Sequence, residues 1–269
     1  MSYLANEIIR AIKSWRFTIS LIFGLGLLYL GLARFYTLDP NPPPGWHFAF
    51  YNAYDAWITA MNSGAFVLYA PLAATLPHTD SFVQERSQKL SRYVLLRIKH
   101  KQYLLIKFFV NGLSGGLAVA LPMMIFFGFT SLKYVRILPP TAASGYTEDW
   151  MRCYGFLSEF YLPTPDLYVF YRILLGFAFG LVFATLGMAI SAFTNNRYII
   201  LSFPLILKFI VAFGVNFLGI PVFSPDYALI PTGILDSTAL TTFLPLGLIL
   251  TASLAVTVIR IRKYNGTPY

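Results

Sequence analysis

The sequence predicts an all-α membrane protein that crosses the bilayer six times and begins with a helix lying in the membrane interface. Three observations carry this reading. Of 269 residues, 57% are hydrophobic and only 12% charged, with a mean hydropathy of +0.63, more apolar surface than a water-soluble domain of this length can bury. The apolar residues fall into six long runs, each near the 17–25 residues that a helix needs to cross a hydrocarbon core about 30 Å thick. The basic residues collect on one side of those runs.

The runs are 17–33, 56–76, 108–132, 173–193, 198–220 and 240–259. Each is continuous rather than alternating, which selects helices over the strands of a barrel. Ahead of the first, residues 3–14 place Leu4, Ile8, Ile9 and Ile12 on one helical face and Glu7, Arg10 and Lys13 on another, the pattern of an interfacial helix. Trp15 then marks the entry into the bilayer. The first run is longer than the apolar region of a secretory signal, and no small-x-small cleavage pattern follows Gly31-Leu-Ala-Arg34, so it is expected to be retained as a span.

With the N-terminus inside, the inner side carries 14 basic and 3 acidic residues and the outer side 5 and 8. Basic loops are held in the cytoplasm, so the net charge of +9 reads as a topology signal with both termini cytoplasmic in a multi-pass cell-membrane protein. The expected medium is the lipid bilayer; the charge does not point to nucleic acid.

The connections differ in kind. Residues 35–55 contain Asp39-Pro-Asn-Pro-Pro-Pro-Gly45, which forbids helix. Residues 133–172 form the largest extracytoplasmic loop, with short amphipathic pieces such as 150–161, too short to build a core of its own. A polar turn, Thr194-Asn-Asn-Arg197, joins spans four and five. Residues 221–239 fit either a plain loop or a segment re-entering the outer leaflet, which needs protein to shield its backbone.

Within the spans, Pro71, Pro122, Pro204 and Pro245 are expected to bend their helices. Gly112, Ser114, Gly115 and Gly116 form a small-residue face suited to close helix packing. The same residues contain the G-x-S-G of intramembrane serine proteases, but no histidine lies at that depth to take the serine proton. One cysteine, Cys153, and three scattered histidines supply neither an intrachain disulfide nor a metal-ligand spacing. No catalytic residue, bound cofactor or metal is expected in the chain. Lys208 falls about 15 Å into its span, where a charge must face protein or water. It is a candidate for the wall of a translocation cavity or a dimer seam, or a snorkelling lysine of a span that starts later.

The segment 80–107, between spans two and three, carries Glu85-Arg86, Leu90, Leu95-Leu96, Arg97, Lys99, Lys101, Tyr103-Leu104-Leu105 and Lys107. Together with the interfacial helix, the six spans and Leu186-Gly-Met-Ala-Ile-Ser191-Ala-Phe-Thr194-Asn-Asn-Arg197 at the end of span four, this order resembles the membrane subunit of ABC-2 type ABC transporters, a type V exporter-like architecture, over almost the whole chain. It departs from the family pattern where Gln88-Lys89 stand in place of a glycine and Ile98 in place of a proline.

The resemblance implies a permease without ATPase activity of its own, and no G-x-x-x-x-G-K-[ST] phosphate loop occurs in the sequence. ATP and Mg would be bound by a separate cytoplasmic ATP-binding subunit, present in two copies. A second permease copy or a paralogue would complete the pathway. Residues 82–101 would form the coupling helix, with Phe82, Glu85, Arg86, Leu90, Arg92, Tyr93, Arg97 and Lys101 as its ATPase-coupling residues. The implied cargo is a bulky amphipathic substrate for export, such as an antimicrobial peptide or a lipid. A self-contained secondary transporter or channel is the alternative reading.

Overall fold

The computed structural model describes residues 3–38, 52–88, 94, 96, 98–136, 155–161, 163–230 and 237–264, the side chains of 34–38, 86, 87, 100, 158 and 260–264 apart. The described residues are helical, without a strand; one isolated bridge joins Asn52 to Val135. The helices are α1 (Tyr3–Ile12), α2 (Trp15–Leu38), α3 (Ala53–Asn62), α4 (Ala65–Thr75), α5 (Ser81–Ser87), α6 (His100–Lys133), α7 (Pro165–Ile190), α8 (Arg197–Phe217) and α9 (Ala239–Tyr264). Five of them, α2, α6, α7, α8 and α9, are long and apolar enough to cross a membrane, so the chain is an α-helical polytopic membrane protein.

The expected second span, 56–76, is not one helix. It divides into α3 and α4, of 10 and 11 residues, at Ser63 and Gly64. Ser63 Oγ donates to Ala60 O at 2.9 Å, competing with the helical bond there. Gly64 takes a left-handed φ of 75° that only glycine adopts cheaply. The break receives α2: a Cβ on Gly31 would lie 2.5 Å from Ser63 Oγ and 2.8 Å from Ala60 O.

The centre of the bundle is the antiparallel pair α6 and α7. Their approach depends on absent side chains, since a Cβ on Gly180 would sit 2.4 Å from Gly115 O, and one on Gly115 would sit 2.7 Å from Ala74 O. The small-residue face read from the sequence is therefore a packing surface, and Ser114 Oγ is spent on Asn111 O at 3.0 Å. Around this seam Trp57, Phe66, Phe179 and Phe183 are fully buried. The Trp57 indole N–H, which needs an acceptor in an apolar core, reaches Met123 O at 3.0 Å.

Two helix starts and one helix face differ from the sequence expectation. Helix α6 starts at His100, so Lys101, Tyr103 and Lys107 belong to a helix that continues into the membrane rather than to a separate coupling segment. Helix α7 starts at Pro165, so 165–172 is helix rather than the end of the 133–172 loop, and Arg172 lies inside a span. Proline at the first helical position explains the early start, because its missing N–H would be unbonded there anyway. On α1, Glu7 and Ala11 face inward while Ile9 and Ile12 are exposed, so Glu7 is not on the solvated face to which its polarity assigned it.

After α8 the chain turns at Gly219, with φ 73°, and folds back through two 3-10 turns, Pro221–Phe223 and Pro225–Ala228. Ser224, Pro225, Ala228 and Leu229 are buried against the bundle. Leu229 Cδ2 lies 3.6 Å from where a Cβ of Gly176 would be, eleven residues into α7, or about 16 Å along its axis. Residues 221–230 thus fold back onto the bundle; the rest of the segment 221–239 lies partly outside the described residues.

Candidate functional site

Helix α1 packs on the first turns of α6, and the chain leaving α4 crosses beside both. Three elements thus bring charged side chains to one buried place. Lys107 Nζ of α6 donates at 2.7 Å to Glu7 Oε2 of α1 and at 2.7 Å to Glu85 Oε1 of α5. Glu85 also accepts from Arg10 on the same oxygen and from the Tyr103 hydroxyl on Oε2 at 2.7 Å. Glu7, Glu85 and Lys107 are buried. Two carboxylates against one ammonium and one guanidinium give a neutral cluster, as burial of charge requires.

Burial alone would push the Glu7 carboxyl up, but the His78 contact and the Lys107 charge outweigh it and hold the group down at about 2. Arg10 is pushed up: burial opposes its charge, and the Glu85 and Glu7 carboxylates overcome that. His78 goes the other way. Burial, with the charges of Lys107 and Arg10, lowers it below its ordinary value despite the pull of Glu7, so the imidazole is neutral at pH 7. Its Nε2, 3.3 Å from Glu7 Oε2, makes a polar contact rather than an ion pair.

The strip 79–85 is fastened further along. Asp80 pairs with Arg16 at the start of α2 and accepts from Gln84 at 2.7 Å. The Thr79 hydroxyl donates to Asn111 Oδ1 of α6 at 2.9 Å, and Asn111 Nδ2 donates to Ala184 O of α7 at 2.6 Å. A short polar strip is therefore tied to α1, α2, α6 and α7. The arrangement holds no nucleophile with a base, and among the described residues no group of three or more His, Cys, Asp or Glu is placed to bind a metal.

The expected coupling residues fall in three groups. Glu85 is turned inward and fully engaged, and Phe82 is half-buried against Tyr103, their ring centroids 6.2 Å apart. Glu85 thus holds the segment from inside, while Phe82 keeps part of its surface exposed. Lys101 is exposed at the base of α6. Arg86 lies in α5 with its side chain outside the described set, and Leu90, Arg92, Tyr93 and Arg97 lie outside the described residues, as does Cys153.

Lys208 is buried inside the bundle, 2.8 Å from Asp226 Oδ1 of the turn after α8 and 3.1 Å from Val67 O of α4. Its ammonium binds a neighbouring segment of its own chain. Sequence reasoning missed that Arg10 and Lys107 pair with Glu85 and that Glu7 and His78 lie beside them; the one available signal was charges flanked by apolar residues beside two spans. Compared with known proteins, the chain matches no family model, no curated protein and no solved structure.

Proposed function

We propose that the chain is the permease subunit of an ATP-driven transporter of the ABC-2 type, powered by a separate cytoplasmic subunit that binds ATP and Mg. The observation that carries the reading is the ionic cluster of Arg10 with buried Glu7, Glu85 and Lys107, which ties α5 to α1 and to the start of α6. A solvated loop between two spans needs no such fastening, and well-packed apolar residues would serve stability as well or better. A segment that passes a push from a partner into the spans does need it, because only a rigid connection moves α1, α6 and α7 together.

In this reading the segment from α5 to the start of α6 docks on the ATPase and both termini are cytoplasmic. Helices α3 and α4, taken head to tail, supply the sixth crossing. Two permease chains and two ATPase copies form the working unit, since six spans make half of a typical pathway. The cargo is a bulky amphipathic molecule moved outward, and ATP hydrolysis takes place in the partner.

A self-contained secondary transporter is the second reading, favoured by the Lys208–Asp226 pair deep in the bundle, since ionisable pairs at that depth often line ion routes. Purification of the tagged chain from its native membrane separates the two. An ATP-binding chain at one copy per copy of this protein supports the permease; a stable assembly that transports without one supports the alternative.

A further inference from the structure

We propose that Arg172 is the anchoring cation of a binding site for an oxyanion, the phosphate of an amphiphile held in the membrane, at the end of the bundle opposite the ionic cluster. The buried charged side chains among the described residues are Glu7, Asp55, Asp80, Glu85, Lys107, Arg172 and Lys208. Six of them have partners: the cluster accounts for Glu7, Glu85 and Lys107, Arg16 for Asp80, Asn52 and Tyr161 for Asp55, and Asp226 for Lys208. Arg172 is the exception. It is 2% exposed, and its Nε and Nη2 have no hydrogen-bond acceptor among the described residues.

Those two nitrogens matter because their N–H bonds lie along one edge of the guanidinium and point the same way. They are the fork that grips a carboxylate or phosphate through two parallel hydrogen bonds. A guanidinium cannot shed its charge to escape burial, and a lone one inside a membrane bundle is costly. Among the described residues nothing closes the fork of Arg172. The Tyr171 hydroxyl is likewise buried without a partner, and both Tyr168 and Tyr171 lie within electrostatic range of the guanidinium.

The surroundings say what kind of molecule brings the oxyanion. One turn deeper on the same face of α7, Gly176 is closed over by Met123 and Leu229, whose Sδ and Cδ2 lie 2.4 and 3.6 Å from the position of its absent Cβ. To the side, Phe156 meets Tyr171 and Phe243 of α9, with ring centroids 5.8 and 6.3 Å apart. The described neighbours of this part of α7 are apolar and aromatic, and Arg172 stands about two turns inside the end of α7. An anion attached to an acyl or otherwise apolar body is stable there, whereas a fully hydrated ion would have to lose its water. The inference does not depend on the ATP-driven reading, because it concerns what the bundle holds and not what drives it.

The test titrates the purified full-length chain in detergent with phosphatidylglycerol and, separately, with inorganic phosphate, reading bound adducts by native mass spectrometry and thermal stability in parallel. Wild type should bind phosphatidylglycerol and be stabilised by it. Arg172→Gln should lose roughly tenfold or more in affinity, the worth of hydrogen bonds to a charged group, and Tyr171→Phe should weaken binding less. Arg172→Lys, which keeps the charge but loses the fork, should fall between and serves if Arg172→Gln fails to fold. Arg136→Gln, a change to an exposed arginine paired with Asp166, should bind as wild type does. A shift with inorganic phosphate alone, lost in Arg172→Gln, would place a soluble anion in the same site. Equal binding by wild type and Arg172→Gln in both arms would overturn the proposal.

Discussion

Lys107 and Glu85 are 22 positions apart in the chain and 2.7 Å apart in the structure, and the same ammonium nitrogen lies 2.7 Å from Glu7, 100 positions away. One side chain thereby joins an interfacial helix, the segment after the second apolar region and the central helix of the bundle. Removing it leaves two buried carboxylates facing each other. Lys107→Met is expected to cost about 3–5 kcal/mol, the range for breaking a buried pair from one side, read as a lowered unfolding temperature in detergent. The double change Glu7→Gln and Lys107→Met should recover most of the loss, because Glu85 still pairs with Arg10 and no charge is then left unpaired. A Lys107→Met chain as stable as wild type would remove the cluster from the account.

Acid should weaken the same place in two stages. His78, faced by Glu7 and Arg10 from α1 and Lys107 from α6, has a folded pKa below its ordinary 6.5. Just below that pH the unfolded chain binds a proton that the folded chain does not, so its contribution to stability is complete above 6.5 and falls as pH drops. Glu7, depressed from 4.5 to about 2, contributes fully above 4.5 and loses that contribution as pH falls towards 2. The unfolding temperature should decline between about pH 7 and pH 5.5 in wild type and stay flatter in His78→Gln. A decline of equal slope in both would assign this first stage to another group.

The α6–α7 seam predicts a contrast between glycines. Gly180→Val pushes a side chain into Gly115 O, a backbone atom that cannot move aside, and is expected to destabilise by at least about 1–3 kcal/mol. Gly128→Val on the same pair of helices meets nothing within 4 Å and should be near neutral. Thermal unfolding of the two variants side by side reads the difference.

Lys208→Met should loosen the turn after α8 by leaving Asp226 without its cation. Amide hydrogen exchange at 221–230 is expected to rise severalfold more than in Lys208→Met with Asp226→Asn, where no charge is stranded. Equal exchange in the two would mean that the turn is held by Leu229 and its apolar neighbours alone.

Much of this fold was legible because its cause is local. Continuous apolar runs give the long helices, and glycines four positions apart give a close crossing, so α2, α6, α7, α8 and α9 stand near where hydropathy put them. The division of α3 from α4 was not legible, because one left-handed backbone angle at Gly64 leaves the hydropathy of 56–76 unchanged. Arg172 was read as part of a loop because a basic residue beside an apolar run marks a boundary unless the helix begins earlier, as Pro165 makes it do. Glu7 was assigned to a polar face because an isolated amphipathic helix gives no sign that Lys107 will cover it. Glu85 was read as facing outward because nothing local shows that Arg10 of α1 and Lys107 of α6 will close on it.

The central claim is that the segment from α5 to α6 is the docking surface for a separate ATPase. A photo-crosslinking amino acid at Leu96, which is 84% exposed on that segment, tests it against the same probe at Leu132, 92% exposed at the far end of α6. In native membranes the account predicts a crosslink from position 96 to a chain that carries a phosphate-binding loop and is labelled by an ATP analogue, no such crosslink from position 132, and a weaker one from 96 when Lys107→Met is added. Transport by the purified chain alone, with no ATP-binding partner captured from position 96, would contradict it.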